Sequence, residues 1–226
     1  MTNAENMFPI DKLYCILTFL LLFTSCSART NRARILDEII DLNPEMGEIQ
    51  YYGQPWETLD FDQAKMVIEM LPILGEIRTD EDETKIRWEH RTFNTDEILF
   101  FDDSGIPILL RVDFHDSRAN PHFSQITEKL RKPDQVGAYS YSLFSGVEVV
   151  YKFPNHIAIF GFKATGIEGS GCETTNLYLL DSYQLIRADS FEELNEDDAP
   201  GIILSEVWFA DFEIDGDEVT VCSEVS

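Results

Sequence analysis

Apolar residues recur along this 226-residue chain in two rhythms, one helical and one alternating. Ile35, Leu36, Ile39 and Ile40 fall at helical spacing and predict a helix over residues 34–42, ending before Asn43-Pro44. Residues 47–54 read as a loop holding a short strand at 49–52. A second helix starts at Thr58 or Asp60, either of which can accept hydrogen bonds from its free N–H groups. Ala64, Val67, Ile68 and Leu71 form its inner stripe, and Pro72 ends it.

Alternation then takes over. Residues 86–92 alternate, residues 97–101 are apolar, and Asp102-Asp103-Ser104-Gly105 turns the chain. Ile106, Ile108, Leu110, Val112 and Phe114 share one face of the next strand. A third helix has Asn120 as its cap, Pro121 in its first turn, Phe123, Ile126 and Leu130 inward, and Pro133 beyond its end. Residues 147–153 and 157–163 form a hairpin about Pro154-Asn155, and 176–187 is one further strand. A helical turn is expected at 190–194, before a loop at 195–201. A single strand is expected over 202–214, then a turn at Asp215-Gly216 and a last strand at 218–222. The sum is an α+β fold: a largely antiparallel meander sheet with two or three helices, mostly in the N-terminal half, one or two of them on one sheet face.

The apolar run at residues 13–23 belongs to neither rhythm. It is shorter than the ~20 residues a membrane-crossing helix needs and matches the ~7–15-residue apolar region of a secretory signal. The alternative is a buried helix of the folded domain. Phe23-Thr24-Ser25-Cys26 resembles the lipobox of bacterial lipoprotein precursors, although Phe23 stands where that pattern usually has Leu. The resemblance covers residues 1–26 only and implies lipidation at Cys26, which becomes the first residue after cleavage. The competing reading is ordinary cleavage after Ala28.

Three acyl chains, as that class carries, would hold a protein lastingly to a membrane. Arg29, Arg32 and Arg34 would add attraction to anionic headgroups. Ser27 is similar to the outer-membrane sorting signal of some Gram-negative bacteria. The organisation expected is a signal peptide at 1–26, a short tether at 27–34 and one globular α+β domain at 35–226. Its expected address is the bacterial cell envelope, at the outer membrane, facing the periplasm or the cell surface.

Charge narrows the partners. The chain carries 42 acidic and 17 basic residues, a net charge of −25. Loss of residues 1–26 removes Glu5, Asp11 and Lys12 and leaves about −24. Such a domain repels phosphate backbones, which argues against nucleic acid and leaves room for a basic protein. Arg187 is the last basic residue, and thirteen Asp and Glu follow from Asp189 to Glu224. A solvated acidic surface is the plain reading of that run. In an oxidising compartment Cys172 and Cys222 are a candidate disulfide; two buried, unpaired thiols are the alternative.

Catalytic signals are sparse. No Ser stands in a G-x-S-x-G elbow, and 166–171 (GIEGSG) lacks the Lys of a phosphate loop. Asp113, His115, Asp116 and His122 are the candidate ligands for zinc or iron, with a polar outer strand face as the alternative. The turns 102–105 and 215–217 are candidate calcium loops, though neither has EF-hand spacing. Glu89 and Glu97 qualify as paired carboxylates for acid–base chemistry only if the fold brings them together.

The function expected is therefore that of a membrane-anchored, acidic envelope protein acting by protein–protein interaction, with no cofactor and no defined catalysis. Its more specific form is a periplasmic immunity protein against a basic toxin. The contrasting reading is an enzyme with a metal site, a divalent cation held near His115.

Overall fold

The computed structural model describes residues 35–36, 42–43, 48–51, 54–55, 58–91, 93–115, 120–141, 144–164, 172–177, 179–190, 205, 207–209 and 211–222. The expected signal, lipobox cysteine and tether at 1–34 lie outside them, as do Asp116 and the helical turn expected at 190–194 beyond Ser190.

The expected α+β class is overturned: the fold is mainly β. Its centre is a nine-stranded antiparallel sheet ordered β13-β8-β9-β10-β12-β7-β6-β5-β4. The strands are β4 (Ile73–Thr79), β5 (Lys85–His90), β6 (Thr95–Phe101), β7 (Pro107–Phe114), β8 (Gln135–Tyr141), β9 (Phe144–Lys152), β10 (His156–Ala164), β12 (Leu180–Arg187) and β13 (Val207–Phe209). A second sheet, ordered β11-β15-β14, joins Cys172–Asn176, Glu218–Cys222 and Asp211–Asp215. A third is small: β1 (Leu42–Asn43), β2 (Glu48–Tyr51) and β3 (Gln54–Pro55). Two complete helices stand among the described residues, α1 (Phe61–Glu69) and α2 (Phe123–Lys129).

Several expectations change for identifiable reasons. Ile35 and Leu36 are helical and buried, but Leu42 pairs with Ile49 as strand, so the first helix does not run to 42. β4 escapes an alternation reading because Gly75, at φ +82°, sits in a bulge between Leu74 and Arg78. The strand expected over 176–187 starts only at Leu180 as β12, and Asn176 instead ends β11 in a different sheet. The single strand expected over 202–214 divides into β13 at the edge of the large sheet and β14 in the small one. The meander is interrupted too: β12 inserts between β7 and β10.

The helices follow local chemistry. Asp60 caps α1: its carboxylate accepts from the Gln63 amide at 2.8 Å, and its own amide donates to the Gln63 side chain at 3.1 Å. Phe61, Ala64 and Ile68 then turn inward, with Phe61 against Phe101 of β6 at 5.0 Å between centroids. His122, not Asn120, begins α2. Asn120 is instead buried, and its amide donates to the Leu180 carbonyl at 2.9 Å. The first turn of α2 is held by Asp217, which accepts from the Ser124 amide at 2.7 Å. Phe123 packs edge-on against Phe162 of β10, centroids 5.4 Å apart.

One face of the large sheet thus meets both helices. Trp88, Leu99, Val112, Tyr183, Phe160 and Val149 line it, and Val219 and Val221 of the small sheet join the same core. The opposite face is divided. Its middle carries a second apolar cluster of Leu109, Val150, Ile157, Ile159 and Ile186. Its β4–β7 end is charged.

Small residues let other groups lie close on this sheet. A Cβ on Gly146 would collide with the phenol of Tyr139 directly across the β8–β9 pair. A Cβ on Gly137 would meet the hydroxyl of Ser205 at 2.5 Å. That serine donates from its amide (2.8 Å) and hydroxyl (2.5 Å) to the buried carboxylate of Glu148.

Candidate functional site

The residues singled out for metal chemistry do not assemble into a centre. Asp113 faces outward on β7, where the Arg111 Nε donates to both of its oxygens at 3.0 Å. His115 follows the strand and lies with Nε2 3.3 Å from Asp96 Oδ2. His122, at the start of α2, lies with Nδ1 3.6 Å from Asp217 Oδ2. Asp116 is outside the described residues. Among the described residues no group of three or more His, Cys, Asp or Glu is arranged to hold an ion.

The candidate calcium loops are occupied by the protein itself. Asp102 Oδ1 accepts from the amides of Ser104 (2.9 Å) and Ile106 (3.0 Å), and Oδ2 receives Arg187 at 3.1 Å. Burial pushes this carboxyl up, but the bonds from Ile106, Arg187 and Ser104 together outweigh it and hold it below the ordinary Asp value. Asp217, in the other loop, is the anchor of α2. Glu89 and Glu97 are not a pair: Glu89 faces Asp96 on the outer side, whereas Glu97 faces Trp88 in the core and accepts from Thr95 at 2.8 Å.

Cys172 and Cys222 are bridged. They stand directly opposite in the β11–β15 pair, their Cα atoms 4.0 Å apart, and the disulfide closes a sequence separation of 50. It staples a sheet whose inner side is apolar, with Phe212, Ile214, Val219 and Val221 packed on the core. The outer side is acidic. Asp211, Glu213 and Asp215 project from β14 and Glu218 from β15, all exposed, and none of the three strands contains Lys or Arg. Lys132 borders this face, its Nζ donating to the Phe212 carbonyl at 3.2 Å; the acidic strands themselves attract cationic surfaces from a distance and repel anionic ones.

A second surface was not foreseen from the sequence. The bulge in β4 opens a cleft of about 320 Å³ on the outer face of the large sheet. Its charged lining is Glu76, Arg78, Arg87, Glu89, Asp96 and Asp113. The alternation Arg87-x-Glu89 signals charges on one face, but only the pairing of β4 with β5 shows which charges meet.

Comparison with known proteins adds little. No known family model matches the chain, and no curated protein matches it. A crystal structure of a DUF4309 family protein (YjgB) from Bacillus subtilis is similar over 70% of this chain and 99% of that one, at 11% identity and a TM-score of 0.43. At that score the likeness assigns no function.

Proposed function

We propose that this chain is a membrane-anchored binding protein of the bacterial envelope, tethered by lipid at Cys26, that docks a basic protein through the acidic face of its disulfide-stapled sheet. The observation that carries the reading is that face: Asp211, Glu213, Asp215 and Glu218 exposed on adjacent strands with no base among them. Opposed charge raises the encounter rate and fixes orientation. An immunity protein that neutralises a basic toxin would use such a face, and is the narrower form of the proposal.

The test separates position from net charge. Two full-length variants are titrated with a small basic globular protein at several salt concentrations. One is D211N/E213Q/D215N/E218Q; the other neutralises four exposed acids elsewhere, D62N/E69Q/E81Q/E83Q. Exposed pairs contribute about 0.2–1 kcal/mol each, so losing four at the docking face should weaken binding at least about fourfold and flatten its salt dependence. The second variant should retain most of the affinity. Equal loss in both would mean that the acidic face has no special role.

A further inference from the structure

Arg78 and Arg87 stand directly opposite each other across the β4–β5 pair. Like charges in that relation repel and weaken a sheet. A chain with 42 acidic residues has ample means to neutralise them. Yet neither guanidinium has an ion-pair or hydrogen-bond partner among the described residues.

The adjacent row is the mirror case. Glu89, Asp96 and Asp113 are direct neighbours on β5, β6 and β7, and lie on the same side of the sheet as the arginines. Asp113 is met by Arg111 and Asp96 by His115, while the carboxylate of Glu89 has no partner among the described residues. An arginine pair and an acidic row therefore lie side by side in one cleft, with Glu76 of β4 also on its wall. The cleft exists because β4 carries extra residues there: Leu74 pairs with Glu89 and Arg78 with Arg87. Bulges of this kind often re-aim side chains beside a binding site.

We propose that this cleft binds a small dipolar ligand of dipeptide size, its carboxylate held by Arg78 and Arg87 and its ammonium lying against Glu89 and Asp96. Two guanidiniums suit a carboxylate, to which arginine forms paired hydrogen bonds. The rows are two residues apart along β5, from Arg87 to Glu89, or about 7 Å. An extended dipeptide spans about the same distance between its ends, whereas a single α-amino acid carries its charges too close together. The volume lies at the lower end of small-ligand sites, which begin at about 300 Å³. The surface is separate from the acidic face of the small sheet, so this inference goes beyond the docking proposal and does not depend on it.

The test is a titration of the full chain with Ala-Ala, N-acetyl-Ala-Ala and Ala-Ala-amide, followed by calorimetry and by amide chemical shifts. Free Ala-Ala should bind saturably and move resonances of β4, β5 and β6. Each capped peptide loses one charged contact and should bind about tenfold more weakly. Arg87→Gln, an exposed change, should lower Ala-Ala affinity to a similar degree, with Arg78→Gln as the second variant if the first does not fold. Three results would overturn the proposal: no binding of Ala-Ala, equal affinity for free and capped peptides, or unchanged affinity in both arginine variants. Retained affinity for N-acetyl-Ala-Ala alone would leave a plain anion site and overturn the dipolar ligand.

Discussion

Replacing Cys172 and Cys222 by serine, or reducing the bridge between them, is expected to cost about 4 kcal/mol of stability, because the unfolded chain regains the freedom that a 50-residue closure removes. The bridge joins β11 to β15 within the small sheet, and the loop it closes contains β12, which inserts between β7 and β10 in the large sheet. The strands it staples have only five residues each, short for a sheet that must hold four carboxylates on one side. Urea denaturation with and without reductant measures the difference. A change below about 1 kcal/mol would show that the small sheet is held by Val219, Val221 and Phe212 alone. The bridge also bears on function: the reduced protein should lose affinity for a basic partner along with the order of its acidic face.

Acid is expected to destabilise the protein well above the pH at which carboxylates titrate. His156 begins β10, opposite Arg187 at the end of β12, and is almost wholly buried. Burial pushes its imidazole down to about 4; Arg187 adds to the effect and Asp189 opposes it. The ring is therefore neutral in the folded protein at a pH where the unfolded chain already binds a proton. Its contribution is complete above about pH 6.5 and is lost as pH falls from there toward 4. Between pH 7.5 and 4.5 the loss should be roughly 2–3 kcal/mol. His156→Gln cannot bind that proton, so its stability should fall less over the same interval, by about that amount. Equal decline in the two proteins would rule the histidine out as the cause. Below pH 4 other groups take over. Burial raises Asp102 and Asp134, but hydrogen bonds from Ile106 and Arg187 to the first, and from Arg131 and Lys152 to the second, hold both below the ordinary value. Their contributions, present above the unfolded value near 4, are lost as pH falls further.

How legible the fold was in the sequence depends on what each strand has on its two faces. β5 alternates cleanly because Ile86, Trp88 and His90 turn to the core while Lys85, Arg87 and Glu89 meet water. The hairpin of β9 and β10 could be read from its turn and apolar runs. β7 is less regular than its pattern suggests: Leu109 is buried as deeply as Leu110, because the middle of the outer face carries an apolar cluster of its own. The change of sheet between β13 and β14 leaves no mark, since the alternation continues through it while the pairing partner changes. β8, with Gly137 inside it, hides for the same reason as β4: the glycine that admits Ser205 also breaks the apolar rhythm.

The site was less legible than the fold. The outward position of Asp113 followed from period two, and Arg111, two residues earlier on the same face, already hinted that its carboxylate is engaged within the protein. The pairing of His122 with Asp217, 95 positions away, had no local signal. The opposed arginines of the cleft depend on register across a bulge, which no single strand encodes. The disulfide was the exception, because the residue types alone restrict the choice once the N-terminal cysteines are set apart.

The docking proposal depends most on where the protein is held, since an acidic docking face has the proposed meaning only at the envelope. Intact-mass spectrometry of the native protein, extracted from the membrane fraction of its host, tests this directly. The expected species begins at Cys26 and carries diacylglycerol with or without a third acyl chain. A mature chain beginning at Arg29 without lipid, or an unprocessed chain beginning at Met1, would contradict it.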